Sequence, residues 1–347
     1  GKIKRYYRPL RPYRIRSISS KTNFKYRLVV DATAPDPIIF KRGKSFFGNI
    51  QDSISNAINR YPFGGYGNLL KAMVIGDTRE LSPATRGRFA QSGIAHVLAV
   101  SGLHVGILAI VLNFILSIFS ISRKFRSLII VFIIFCYAGI CGFRPPVIRA
   151  FIMISMVFSA RIIERTKNVE NSIFVALIAI LVIYPPSLFG PSIQLSFAAV
   201  WGITTFYSPI LSIIKKRFRL TRGIEYFVGL FVISGIATAT TAPIVAAHFK
   251  YIPLYGIAAN LLAVPMTFAI VSSGMASIFL IFLGATAAPL ATLSSFITGT
   301  LLAILSLLTE FVSSLPYASI FTGKVSPLVG ITLIAWLYII SRARGRN

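Results

Sequence analysis

From Gly93 onward the chain is a succession of apolar stretches long enough to cross a lipid bilayer. A helix needs about 20 apolar residues to span a hydrocarbon core of ~30 Å. Nine stretches meet or approach that length: 97–121, 127–143, 145–163, 172–190, 193–214, 224–247, 252–283, 285–315 and 325–340. Inside lipid every backbone polar group needs a partner within the protein, so runs of this length are read as helices. The expected fold is an all-α polytopic membrane protein with about nine transmembrane helices, preceded by a small basic soluble region that is partly β. Stretch 252–283 is too long for one simple span. It carries Pro253, Gly256, Pro265 and Gly274, so a broken or re-entrant segment is expected there.

Composition agrees. Hydrophobic residues make up 55% of the 347 and charged residues only 13%, about half the charged share of a soluble domain. The charge is one-sided, 36 Lys plus Arg against 9 Asp plus Glu. Such an excess suits anionic lipid headgroups or a polyanionic substrate, and composition does not choose between them.

Half of the basic residues, 18 of the 36, fall in 1–88 with five of the nine acids. Within that water-facing part, 26–30 and 38–40 read as short strands. Residues 45–60 read as an amphipathic helix, with Phe46, Ile50, Ile54 and Ile58 on one face. Gly64, Gly65 and Gly67 then interrupt the chain before a short helix over 69–75. The predicted division is a basic extracytoplasmic region, 1–88, and a transmembrane domain, 89–347. Opening on Gly1 with no signal peptide, the sequence is expected to be a processed or partial chain. Cys136 and Cys141 fit neither a redox pair nor a metal knuckle and read as ordinary small residues.

Loop charges set the expected orientation. Arg123, Lys124 and Arg126 follow the first span, Lys215, Lys216, Arg217, Arg219 and Arg222 the fifth, and Arg342, Arg344 and Arg346 the last. Taking 252–283 as one crossing places all three clusters in the cytoplasm, the C-terminus with them, and 1–88 outside.

The densest unusual stretch is QSGIAHVLAVSGLHVG, residues 91–106. It sets His96, Ser101 and His104 in apolar surroundings, where polar groups are costly unless they face protein or water. At 100° per residue His96 and His104 differ by about 80° and Ser101 lies about 60° from His104, so a kink at Gly102 gathers them on one face. Three readings stay open: lining of a transport path, hydrogen bonding between helices, and a Ser/His hydrolase, for which no Asp or Glu within 91–141 orients a histidine. Arg149 lies beyond Pro145 and Pro146, a turn or more into a span, where it either snorkels or faces water and meets phosphate. Gln194, Ser196, Thr204 and Thr205 give the fifth span a polar side, and Thr238, Thr240 and Thr241 precede Pro243 in the sixth. Asn260 and Pro265 mark the expected helix break.

Taken in order these elements resemble the ComEC-type competence protein family of DNA-uptake channels. The resemblance runs from Gly76-Asp77 and Leu81-Ser82 through Ser92-Gly93-Ile94-Ala95-His96 and Ser101-Gly102-Leu103-His104-Val105-Gly106. It continues with Pro145, Pro146, Arg149-Ala150 and Met153, then Gln194-Leu195-Ser196-Phe197. Thr241-Ala242-Pro243, Phe249, Asn260-Leu261-Leu262 and Pro265 complete it. It implies a multi-pass channel of the bacterial cytoplasmic membrane that imports single-stranded DNA during natural transformation. His96, Ser101, His104, Arg149, Gln194 and Asn260 would line the DNA path, and Gly102, Pro145, Pro146, Pro243 and Pro265 would break helices beside it. It also implies that 1–88 is the remnant of an OB-like domain with amphipathic helices. The implied partners are single-stranded DNA, anionic lipids, a separate DNA receptor, a nuclease, a cytoplasmic motor and further copies of the chain.

Two departures stand out. Tyr184-Pro185-Pro186 replaces the more acidic element the family carries before QLSF. With only His96, His104 and His248, the HxHxDH signature of the larger members' nuclease domain is absent. No catalytic residue, metal or cofactor is therefore expected. The rival readings are a permease for a small solute or ion, and a nonfunctional remnant.

Overall fold

The computed structural model describes residues 26–28, 39–41, 46–119, 121–162, 169–183, 185, 188, 190–218 and 221–323. The expected span 325–340, Tyr184, Pro186, Arg219 and the three C-terminal arginines lie outside the described residues. The chain divides into two compact units after Phe46. In the first, strand β1 (Tyr26–Leu28) pairs antiparallel with β2 (Ile39–Lys41), Arg27 opposite Phe40.

The second unit begins at Phe47, within α1 (Phe46–Arg60), and continues with α2 (Gly67–Ile75) and α3 (Pro83–Gln91). Eight longer helices follow: α4 (Gly102–Ile118), α5 (Arg123–Ile140), α6 (Pro145–Ile162), α7 (Val169–Ile183), α8 (Pro191–Arg217), α9 (Arg222–Phe249), α10 (Gly256–Phe282) and α11 (Ala288–Ser314). Their positions match the first eight expected spans. Four of them, α8 to α11, are long and apolar enough to cross a membrane, while α4 and the first part of α6 are shorter apolar helices. The protein is thus a helical, multi-pass membrane protein.

Local chemistry sets several helix ends. Ser82 caps α3 by accepting from the Thr85 amide at 3.0 Å, with Pro83 in the first turn. Gly76 ends α2 in the left-handed conformation, φ 70°. Pro145 and Pro191 open α6 and α8, where a missing N–H costs nothing.

The expected interruption of 252–283 lies elsewhere than at Pro265. Helix α10 runs from Gly256 to Phe282 through Pro265 and Gly274. The chain is extended just before it, where β3 (Tyr251–Pro253) pairs with β4 (Ser319–Phe321). Packed neighbours hold a helix together across a proline in a membrane bundle. Pro243 sits inside α9 in the same way. Gly274 is a contact point, since a Cβ there would lie 2.7 Å from Leu70.

Helix α2 is the centre of the main core. Every residue from Leu69 to Ile75 is buried, Lys71 included. The Tyr137 hydroxyl of α5 donates to the Val74 carbonyl at 2.7 Å. Gly299 of α11 lies against the backbone of Phe63, where a Cβ would come within 2.8 Å. A second core joins α4, α5 and α6 through Val105, Ile130, Ile134, Ala138 and Val147.

Helices α10 and α11 share a polar seam. Ser277 meets Ser294 at 2.8 Å, and Thr298 donates to Ser273 at 3.0 Å. Small hydroxylated residues and glycine let two membrane helices approach closely. Outward, large apolar side chains such as Ile110, Phe114, Phe231, Phe296 and Phe311 are exposed, as lipid contact requires. Gly299→Ala should cost about 1–3 kcal/mol by overpacking, seen as a lower aggregation temperature in detergent. Gly235→Ala, where a Cβ would meet nothing within 4 Å, should change that temperature little.

Candidate functional site at one end of the helix bundle

Alternation of the long helices brings the starts of α4, α6, α8 and α10 to one end of the bundle. Direct contacts confirm the grouping. A Cβ on Gly102 would lie 3.8 Å from that of Ala150, and the left-handed Gly93, φ 80°, lies against Gly256. The Leu254 amide donates to the Ala318 carbonyl at 3.1 Å. Five of the six candidate path residues lie in the first two turns of these helices or at the cap of α4. His96 stands just before them, in a single 3-10 turn (Ala95–Val97), and is exposed.

Ser101 is the N-cap of α4 and His104 its third residue. The Ser101 amide donates to His104 Nδ1 at 3.3 Å, and the Ser101 Oγ lies 2.8 Å from the same nitrogen. With Nδ1 accepting, the ring proton resides on Nε2, which is buried and has no protein partner. The pair therefore closes the first turn of α4 and leaves one donor over. His96 makes no hydrogen bond to either residue.

Arg149 of α6 is 4% exposed. One terminal nitrogen donates to the Ser196 Oγ of α8 at 2.6 Å, while Nε and the other terminal nitrogen have no protein partner. A guanidinium offers five donors in a planar fork and stays charged. Burying it beside one neutral hydroxyl is costly unless an anion or water completes the shell. It does not snorkel to the end of its helix.

Gln194 and Asn260 complete the set. Gln194 donates from Nε2 to the Leu188 carbonyl at 3.0 Å and faces His248 Nε2 with its Oε1 at 2.9 Å. His248, in the last turn of α9, was not among the candidates, because a histidine beside a helix end carries no pattern of its own. Asn260 of α10 has a buried Oδ1 without a protein partner. The six residues thus form separate pairs and singles at one end, not one hydrogen-bonded cluster. Gly102, Pro145 and Pro146 stand in first turns, whereas Pro243 and Pro265 lie inside continuous helices. Thr204, Thr240 and Thr241 return their hydroxyls to carbonyls of their own helices.

A charged group at the same end escaped the sequence reading. Buried Lys71 donates to Glu80 at 2.8 Å and to Asn68 at 3.2 Å. Arg79 pairs with Asp77 and lies 3.9 Å from Asp52. Burial alone would raise the Asp77 pKa, but the Arg79 hydrogen bonds and the charges of Arg79 and Lys71 outweigh it and hold the carboxyl below its usual range. Asp77 thus adds stability in full above about pH 4, lost as pH falls through its folded value. Unfolding followed against pH should show this acid limb, and Asp77→Asn should flatten it.

Comparison with known proteins adds the following. A family model described as Competence protein matches residues 73–346. ComE operon protein 3 of Bacillus subtilis (strain 168) is 28% identical over 218 residues, 62% of this chain and 27% of that protein. Uncharacterized protein YcaI of Escherichia coli (strain K12) is 23% identical over 231 residues, 62% of this chain and 28% of that protein. The chain thus spans a little over a quarter of the length of these curated relatives. No solved structure matches it.

Proposed function

The chain belongs to the Competence protein family, and from that membership and the buried Arg149 we propose that it forms a membrane channel importing single-stranded DNA across the bacterial cytoplasmic membrane during natural transformation. The guanidinium carries the proposal. It is desolvated and spends only one of its five donors on a neutral hydroxyl, an arrangement suited to a passing phosphate. His104 Nε2 and Asn260 Oδ1 add uncommitted polar atoms at the same end. Phosphates of a moving strand need contacts that form and break, not a sealed ion pair.

In this proposal the candidate site faces outward. The turns flanked by Arg123, Lys124 and Arg126 and by Lys215, Lys216, Arg217 and Arg222 face the cytoplasm with the C-terminus. Both turns lie at the end opposite the candidate site, which is the arrangement the loop charges call for. The protein supplies passage and no chemistry, so a separate nuclease removes the other strand while a receptor and a motor deliver and draw the DNA.

The 2.8 Å contact between Ser101 and His104 also has the spacing of a nucleophile and its base. Against that reading, Nδ1 is shared with the Ser101 amide, and Nε2 meets no carboxylate that would orient the ring. A small-solute permease is the remaining alternative. Transformation of a strain lacking only this chain separates these readings. The channel proposal expects labelled DNA to be bound and cut outside but not to enter, with entry restored by the wild-type chain and by Ser101→Ala. Normal entry without the chain would refute it.

A further inference from the structure

Helix α1 is amphipathic, and its exposed side differs from those of α4, α9 and α11. On α4, α9 and α11 most of the exposed residues between the helix ends are large and apolar, as at Phe114, Phe231 and Phe311. On α1, from Phe47 onward, the exposed residues are Asn49, Ser53, Asn56, Asn59 and Arg60. Four of these, 49, 53, 56 and 60, fall on one stripe at helical spacing. The opposite side carries buried Ile54 and Ile58.

The position of α1 makes that stripe informative. Its first turn sits at the end of the bundle that holds the candidate site. The Phe47 ring lies against Gly139, at the close of α5, and packs edge-on against Phe143 at 5.9 Å. Its last turn leads to Phe63, whose backbone rests on Gly299. Gly299 is about 17 Å along α11 from Ala288 and about 22 Å from Ser314, at 1.5 Å rise per residue. The chain then turns and α2 climbs back, with Leu70 on Gly274 of α10 and Gly76 beside Arg144 at the start of α6. The Gln51 side chain donates to the Ile75 carbonyl at 3.1 Å, which ties the upper parts of the two helices together antiparallel. Helices α1 and α2 are therefore a re-entrant hairpin that dips to the middle of α11.

Exposed amides and a charged guanidinium at that depth cannot face hydrocarbon. We propose that the Asn49–Ser53–Asn56–Arg60 stripe lines a water-filled path, open at the candidate-site end and reaching mid-bundle, where it holds the phosphate backbone of a nucleic acid. The occupant rests on the channel reading above; the water-filled path does not. Amide N–H groups and hydroxyls contact phosphate without reading sequence, and Arg60 adds a charge near the inner end of the stripe.

The test uses the full chain in proteoliposomes, with Cys136→Ala and Cys141→Ala as background. Single cysteines replace Asn49, Ser53, Asn56 and Arg60 in turn, and Phe114→Cys serves as the lipid-facing control. A charged, membrane-impermeant methanethiosulfonate added from one side should modify all four positions at rates within about tenfold of each other, with Phe114→Cys at least a hundredfold slower. Spin–spin distances should place a label at 60 nearer to one at 297 than to one at 311. Rates collapsing between positions 49 and 60, or a label at 60 nearer to 311, would overturn the path. A single-stranded oligonucleotide should slow modification at position 60 at least fivefold. Four accessible positions indifferent to the oligonucleotide would leave the path standing and overturn its nucleic-acid occupant, while the channel reading is overturned separately, by normal DNA entry without the chain.

Discussion

Arg149→Ala is expected to lower DNA entry about a hundredfold while the protein remains inserted and abundant. A desolvated charge contact of this kind is worth about 2–5 kcal/mol when truncated, and each 1.4 kcal/mol is tenfold in an equilibrium. The folded protein itself gains little from the guanidinium, because its one bond is to the Ser196 hydroxyl. Removing it also removes two unpartnered nitrogens. Fold and function should therefore separate at this residue. Arg149→Lys keeps the charge but loses the planar fork, so an intermediate loss is expected. Uptake of labelled DNA into intact cells, normalised to membrane abundance by immunoblot, is the measurement. Wild-type uptake in Arg149→Ala would remove Arg149 from the path.

The second large effect is structural. Gly93 holds φ 80°, and a Cβ on it would lie 2.6 Å from the Gly256 Cα, a backbone atom that no rotamer change can move aside. Gly93→Ala adds left-handed strain to a clash at the start of α10, together about 2–5 kcal/mol. The variant should be degraded or scarce in the membrane. Gly223→Ala, where a Cβ would meet nothing within 4 Å, should accumulate normally. Equal abundance of the two variants would mean that the contact between 93 and 256 yields easily.

What the sequence made legible follows from which physical signals are local. Apolar run length located helices α4 to α11, and the four-residue spacing of Phe46, Ile50, Ile54 and Ile58 located α1. The fate of α2 was not legible. LLKAMVI could have been a surface helix, and only its contacts with Gly274 and Tyr137 show it to be the core of the bundle. Pro265 misled because a proline signals a break in water, while in a packed bundle the neighbours hold the helix together. Of the site, the sequence grouped His96, Ser101 and His104, and the hydrogen bonds join only Ser101 and His104, which are three residues apart. The partners of Arg149 and Gln194 were hidden, since Ser196 and His248 lie on other helices and reach them only after the chain has packed.

The hairpin of α1 and α2 also has a cost in time. It is made early, yet Gly274 and Gly299, on which it rests, are made late. Roughly 240 residues separate Phe63 from Gly299, on the order of 10–50 s of synthesis at about 5–20 residues per second. Through that interval Leu69, Leu70, Met73 and Val74 lack the helices that will bury them. An amphipathic α1 can ride at the membrane surface meanwhile, its asparagine stripe toward water. The future core thus stays unsheltered until α10 and α11 have been made, and their arrival is what closes it.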